Sequence, residues 1–326
     1  MTTIDTPSLE QLDLTSKRVL VVGGTGGLGR AVAQQALALG AEVTVVGRTF
    51  RDHTTDRLTF VQADLSSMRE AVRLGKELPA ETYDTAFFSL GIMAAKTREE
   101  TAEGIERDLA VSYLSRLAVL QGLSPRLGAA RPVSARQPRV FIMGAPGAGN
   151  IGRLEDLNSE HGYKPMAAHM NTVAGNEILV LAGHRRLPGP AYFGLNPGLI
   201  KTDIRSNYLG EGSLLHRLAE AVVGLAGPSP ETYAARIVPL LFTDDLNGRN
   251  ALMFNNKAQV LLPSAGRFLG VVATRGRLFR PRAVYAGARL GFPSRASCVG
   301  GQGRLWLQGT SPHSSARIAG CLVRLT

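Results

Sequence analysis

Acidic side chains are missing from the last sixty residues of this 326-residue chain. Residues 267–326 carry ten arginines and no lysine, aspartate or glutamate; they also hold both cysteines, Cys298 and Cys321, and the single tryptophan, Trp306. The net charge of +11 therefore belongs to one end, and residues 1–266 stand near +1. A nearly neutral body gives no reason to expect a nucleic-acid partner for it. For the tail three readings stay open: a basic arm for phosphate-rich partners or membrane surfaces, a disordered extension, and a non-native ending such as the out-of-frame translation of a GC-rich gene.

Other absences narrow the class further. Two cysteines exclude a disulfide framework and fit a reducing compartment. No run approaches the ~18 apolar residues of a membrane span. The first seventeen residues lack a basic start followed by an apolar stretch, so no secretory signal is expected and the cytoplasm is the default location. His161, His184 and His216 have no metal-ligand spacing with cysteines or acids, so no metal is assigned. No nucleophile elbow is present either, which removes the serine hydrolase reading.

What the body does contain is an alternation of short apolar runs and helical patterns. Arg18–Val22, Glu42–Val46, Leu58–Gln62, Ala86–Leu90, Arg139–Met143 and Ala191–Leu195 read as strands, with a further one at Ala251–Phe254. Leu28–Leu39, a stretch from about Ser66 to Leu78, Glu99–Leu123 and Pro165–Arg186 read as helices. Strands alternating with helices predict an α/β fold, a Rossmann-type doubly wound parallel sheet with helices on both faces. One such domain over residues 1–266 is expected, followed by the arginine-rich tail.

The first strand runs into Gly23-Gly24-Thr25-Gly26-Gly27-Leu28-Gly29. Glycines at Gly23, Gly27 and Gly29 let the chain turn sharply, let a pyrophosphate approach and let the helix pack closely on the sheet. The free N–H groups and dipole of the helix start favour the phosphates. A flexible glycine-rich loop would look similar, but this one follows a strand, opens a helix and precedes a second strand, which is the context a dinucleotide needs. The second strand ends Val46-Gly47-Arg48. An acidic residue there holds the ribose 2′-hydroxyl of NAD; Arg48, assisted by Arg51, suits a 2′-phosphate through a charge-assisted forked contact, so NADP(H) is the expected cofactor.

With these marks in place, residues 15–256 resemble the short-chain dehydrogenase/reductase family. The glycine spacing is the family's, with Val22 where threonine is common. Asp64-Leu65 is similar to the pair that contacts adenine, and Gly91, closing Phe88-Ser89-Leu90-Gly91, is similar to the last residue of Asn-Asn-Ala-Gly. Thr97–Leu123 looks like the long helix that follows. Pro197, Gly198 and Thr202 resemble the segment that closes over the nicotinamide, where the threonine bonds the carboxamide. The resemblance also implies a homo-oligomer paired through two long helices, and a small-molecule substrate.

The family's chemistry uses Asn, Ser, Tyr and Lys, and here none of the four stands in its place. Ser112 falls at the asparagine position, Ala145 at the serine, His169 at the tyrosine and Val173 at the lysine; no Tyr-x-x-x-Lys occurs anywhere. The rival register through Tyr163 meets Ala167 four residues on. His169 is the candidate proton donor, since an ordinary imidazole titrates near ~6.5 and needs no lysine to do so; the bland alternative is a histidine satisfied by water or backbone. Ser112 and Tyr163 are secondary candidates, and Met143, Met166 and Met170 are read as packing residues. Asp203–Pro230, with Leu214, Leu215, Leu218 and Val222 at helical spacing, is read as a lid whose apolar face suits a hydrophobic substrate. Two functions follow: an NADP(H)-linked oxidoreductase for a small hydrophobic carbonyl or alcohol with a non-standard proton donor, or an inactive NADP(H)-binding or sensing protein.

Overall fold

A computed structural model describes residues 3–132, 135–147, 152–198, 200 and 228–261, all within one compact unit. Thr202, His216, most of the expected lid and the arginine-rich tail lie outside the described residues. Eight strands form one sheet in the order β3-β2-β1-β4-β5-β6-β7-β8. They are β1 (Arg18–Val22), β2 (Glu42–Gly47), β3 (Leu58–Gln62), β4 (Thr85–Phe88), β5 (Arg139–Met143), β6 (Ala191–Leu195), β7 (Leu252–Phe254) and β8 (Val260–Leu261). The first seven are parallel, and β8 returns antiparallel to β7 with Phe254 opposite Val260. β4, β5 and β6 are buried at every residue, as a sheet covered on both faces requires.

Helix α1 (Gly27–Ala38) packs on α6 (Pro230–Phe242) over one face, and α2 (Met68–Glu77) on α4 (Ser115–Leu123) over the other. The α2–α4 crossing is backbone against backbone. A Cβ on Gly122 would lie 2.7 Å from the Gly75 carbonyl carbon, and one on Gly75 would lie 2.5 Å from the Val119 oxygen. Ser67 caps α2 with its side chain on the Glu70 amide. α5 (Pro165–Arg186) spans the residues its pattern predicts, opening on a proline at its first position.

The helix expected over Glu99–Leu123 is shorter than its composition suggests. It begins at α3 (Arg107–Leu109), continues through a π-helical turn (Ala110–Leu114) and ends as α4. Gly104 takes φ +74 in a tight turn, and Glu106 caps the helix by accepting from the Asp108 and Leu109 amides. Glu103 reaches away to accept from Ser67 Oγ and the Met68 amide, at the start of α2. Long-range capping thus wins over helix propensity in this stretch. β8 and α6 add elements that the sequence pattern did not indicate.

Candidate active site

Parallel strands bring the C-terminal ends of β1, β4, β5 and β6 to one edge, and the order reverses between β1 and β4. Such a switch point opens a crevice in which ligands bind. The glycine turn fills the β1 side of it. Gly23 takes φ +91, and a Cβ there would lie 2.5 Å from the Leu90 amide nitrogen. One on Gly29 would lie 2.2 Å from Ser89 Oγ and 2.3 Å from the Gly23 oxygen. Both positions are closed to any side chain, because backbone meets backbone there. Gly26 is the opposite case: a Cβ would meet nothing within 4 Å, so the chain faces open space in front of α1.

That space is where free amides converge. The first amide in α1 to find a helical partner is Arg30, which donates to the Gly26 oxygen, leaving those of Gly27, Leu28 and Gly29 unpaired within the helix. No acidic residue stands in the first turn to compete for them. Thr25 is seated against Gly47 at the end of β2, where a Cβ would lie 2.4 Å from its Oγ1. Arg48 follows, its side chain exposed and its carbonyl held by Gln62 Nε2 at 3.1 Å. Asp52, an acid in the same loop, is occupied: Arg30 holds it through Nε and Nη2. These residues fit a dinucleotide.

The remaining cofactor candidates have definite local roles. Asp64 Oδ1 accepts from the Ser66 amide at 3.0 Å, while Leu65 is buried beneath it. Gly91 leaves a gap toward Arg116, whose Nη2 would sit 3.4 Å from a Cβ there. After β6, Asn196 Oδ1 accepts from the Gly198 amide, folding Pro197 and Gly198 back at φ +66.

Three side chains meet at the start of α5. His169 Nδ1 lies 2.7 Å from Asp108 Oδ2, and Ser112 Oγ lies 2.5 Å from Asp108 Oδ1. Asp108 is fully buried, whereas the His169 side chain keeps 18% of its surface. Ser112 also accepts from the Ile92 amide at 3.0 Å, which fastens the chain after β4 to the same group. Behind them Arg116 is buried, donating to the carbonyls of Leu90 and Met143 and, at 3.0 Å, to Asn176 Oδ1. Burial pulls its guanidinium down to about 9, still charged at neutral pH, and the Asp108 carboxylate opposes that effect.

The structure thus brings His169 and Ser112 together through Asp108 and leaves Tyr163 with another task. Its hydroxyl donates to the Ala95 carbonyl at 2.8 Å, and burial, with the carboxylates of Glu106, Asp108 and Glu99, pushes it up to about 12. Val173 is buried in α5 and offers no charge. Met143 is buried at the end of β5, while Met166 is 55% exposed and does not pack the core. Sequence reasoning missed Asp108 and Arg116. Asp108, just before the π-helical turn, and Ser112, within it, are four residues apart, the signal available for the first; nothing local marks the second.

Comparison with known proteins gives the chain's family and fold. The NAD dependent epimerase/dehydratase family matches residues 19–109. The uncharacterized oxidoreductase YKL107W of Saccharomyces cerevisiae is 44% identical over 269 residues, covering 81% of this chain and 87% of the relative. A polyprenol dehydrogenase of Mus musculus is 26% identical over 259 residues, 74% of this chain and 76% of the relative. Among solved structures, a short-chain dehydrogenase of Shigella flexneri complexed with NADP superposes with a TM-score of 0.54 at 15% identity, covering 75% of this chain and 98% of the other. Among the described residues no helix is long and apolar enough to cross a membrane, and no group of acids, histidines or cysteines is arranged to hold a metal ion.

Proposed function

The chain belongs to the short-chain dehydrogenase/reductase family of oxidoreductases, and we propose that it uses NADP(H) to interconvert a small hydrophobic carbonyl compound and its alcohol, with His169 moving the proton. The carrying observation is the 2.7 Å contact between His169 and Asp108 at the place where the family keeps its tyrosine. It supports a histidine built into the site over a helix residue satisfied by water.

Binding falls to the glycine turn. The amides of Gly27, Leu28 and Gly29 would hold the pyrophosphate, and Arg48 the 2′-phosphate. Engagement of Asp52 by Arg30 supports NADP(H) over NAD(H), because it withdraws a nearby acid from a 2′-hydroxyl. Thr202, the residue expected to bond the carboxamide, lies outside the described residues. The bound nicotinamide supplies the hydride equivalent and accepts it back in the reverse direction. His169 gives a proton to the substrate oxygen in reduction and takes it away in oxidation, and its partial exposure lets it exchange that proton with water. The relative named as a polyprenol dehydrogenase supports an alcohol with an apolar body. A homo-oligomer in the cytoplasm completes the reading.

A turnover screen of hydrophobic ketones and alcohols with NADPH and NADP⁺ tests it. Activity that falls ~10²-fold or more in His169→Ala, with NADPH affinity unchanged, is the expected result. Tight NADPH binding with no turnover of any carbonyl or alcohol would make the protein a sensor instead.

A further inference from the structure

We propose that Asp108 is a positioning residue that fixes the proton of the neutral His169 ring on Nδ1, so that the ring exchanges protons with substrate only at Nε2. The inference rests on the role of His169 given above and concerns how this chain replaces a tyrosine that a lysine would otherwise activate.

Asp108 has no exposed surface, and its oxygens are accounted for one by one: Ser112 Oγ at Oδ1, His169 Nδ1 at Oδ2. An ionised carboxylate only accepts hydrogen bonds. The Ser112 hydroxyl accepts from the Ile92 amide, and its single proton goes to Asp108 Oδ1 at 2.5 Å in preference to the Ile92 carbonyl at 3.2 Å. The bond at Oδ2 must then come from an Nδ1–H. Burying this carboxylate without a donor is strongly unfavourable, and that selects the tautomer.

The other ionisable groups packed around the pair do not offer an alternative partner. Glu106 is spent capping α3, and Tyr163 is bonded to Ala95. Arg98 and Glu99 pair with Glu100 and Arg107. Arg116 acts on Asp108 through its charge while its N–H groups go to Leu90, Met143 and Asn176. Among the described residues Asp108 alone lies within ion-pair distance of His169.

The chemistry follows from the geometry. In reduction the imidazolium loses its Nε2 proton to the substrate oxygen and is left as the Nδ1–H ring that Asp108 favours. In oxidation the same ring offers its Nε2 lone pair to the alcohol proton. Asp108 keeps its hydrogen bond from Nδ1–H throughout, the division of labour by which a buried aspartate orients a histidine elsewhere. Asp108→Asn should reverse the preference. Its carbonyl would take the Ser112 proton, and its NH₂ would donate to Nδ1, leaving the ring proton on Nε2.

Long-range ¹H–¹⁵N spectra of the full chain read the tautomer directly, with His169→Gln used to assign the ring. The expected result is Nδ1–H in the parent above the ring's titration and Nε2–H in Asp108→Asn. The variant's kcat should fall by ~10²–10⁴ with KM and NADPH affinity little changed. An Nε2–H tautomer in the parent overturns the proposal without any variant, which covers the case in which Asp108→Asn does not fold. So does a tautomer that ignores the substitution. Turnover indifferent to His169, with the tautomer switching as described, would retain the pairing and remove the donor role beneath it. Turnover that needs His169 but not Asp108 would retain the donor and remove its positioning.

Discussion

Arg116 Nη1 donates to Asn176 Oδ1 across 3.0 Å, and that bond closes a buried junction between α4, α5 and the ends of two central strands. The same guanidinium reaches the Leu90 carbonyl after β4 and the Met143 carbonyl at the end of β5. Asn176 is saturated in turn, its Nδ2 donating to the carbonyls of Ser112 and Thr172. Removing the cation takes the guanidinium donor from two buried acceptors, Met143 O and Asn176 Oδ1, and from the part-buried Leu90 carbonyl. Arg116→Ala should therefore cost about 3–5 kcal/mol of unfolding free energy in urea. Lysine, which lacks the planar fork, should recover only part of it. A loss within experimental error would mean that water replaces the guanidinium.

Packing at the α2–α4 crossing should be nearly as intolerant. The Cβ of Gly122→Ala must enter space already held by the Gly75 backbone, so the helices have to separate. A loss of about 1–3 kcal/mol is expected, against the gain of about 0.5–1 kcal/mol that alanine normally brings over glycine inside a helix. Thermal unfolding of the variant beside an exposed helix control decides between the two signs.

Glu106 gives the fold a pH dependence of defined sign. Burial, and then the Asp108 carboxylate, raise it to about 6 from an ordinary 4.5, and the bonds to Leu109 and Asp108 amides only partly offset them. A carboxyl with a raised folded value binds its proton more readily in the native state. Its contribution is therefore fullest below about pH 4.5 and is lost as pH rises through 6. The parent should lose on the order of 2 kcal/mol relative to Glu106→Gln between pH 4.5 and 7.5. The missing cap acceptor in the glutamine variant shifts the whole curve and leaves this slope unaffected. Parallel stability curves would refute the assignment.

Cofactor choice reads out at Arg48. Calorimetry should give NADPH the tighter binding, and Arg48→Ala should weaken NADPH about tenfold or more while leaving NADH nearly unchanged. Equal affinities in the parent would remove the 2′-phosphate site.

How much of this was legible in the chain depends on the range of the interactions. The glycine turn, the strand sequence and α5 follow from local patterns: β-branched runs, a tight turn before an alanine-rich helix, a proline at a helix start. The segment before α3 misled because Glu99, Glu100 and Glu103 are good helix formers, while the capping role of Glu103 lies 35 residues away in Met68. Gly104 was the local warning. Asp108 and His169 are separated by 61 residues, and Arg116 and Asn176 by 60, so neither pair leaves a spacing to read. A lone arginine in a helix is expected in solvent, which is why the burial of Arg116 could come only from the fold.

The π-helical turn at Ala110–Leu114 makes chain length a sensitive variable of this site. Each residue added to or removed from a helix rotates everything beyond it by about 100°. Loss of one residue from this turn would restore an ordinary helix and swing Arg116 away from Leu90, while Asp108, upstream, stayed where it is. Insertions and deletions in the stretch therefore separate the proton-handling pair from the clamp behind it at a single stroke.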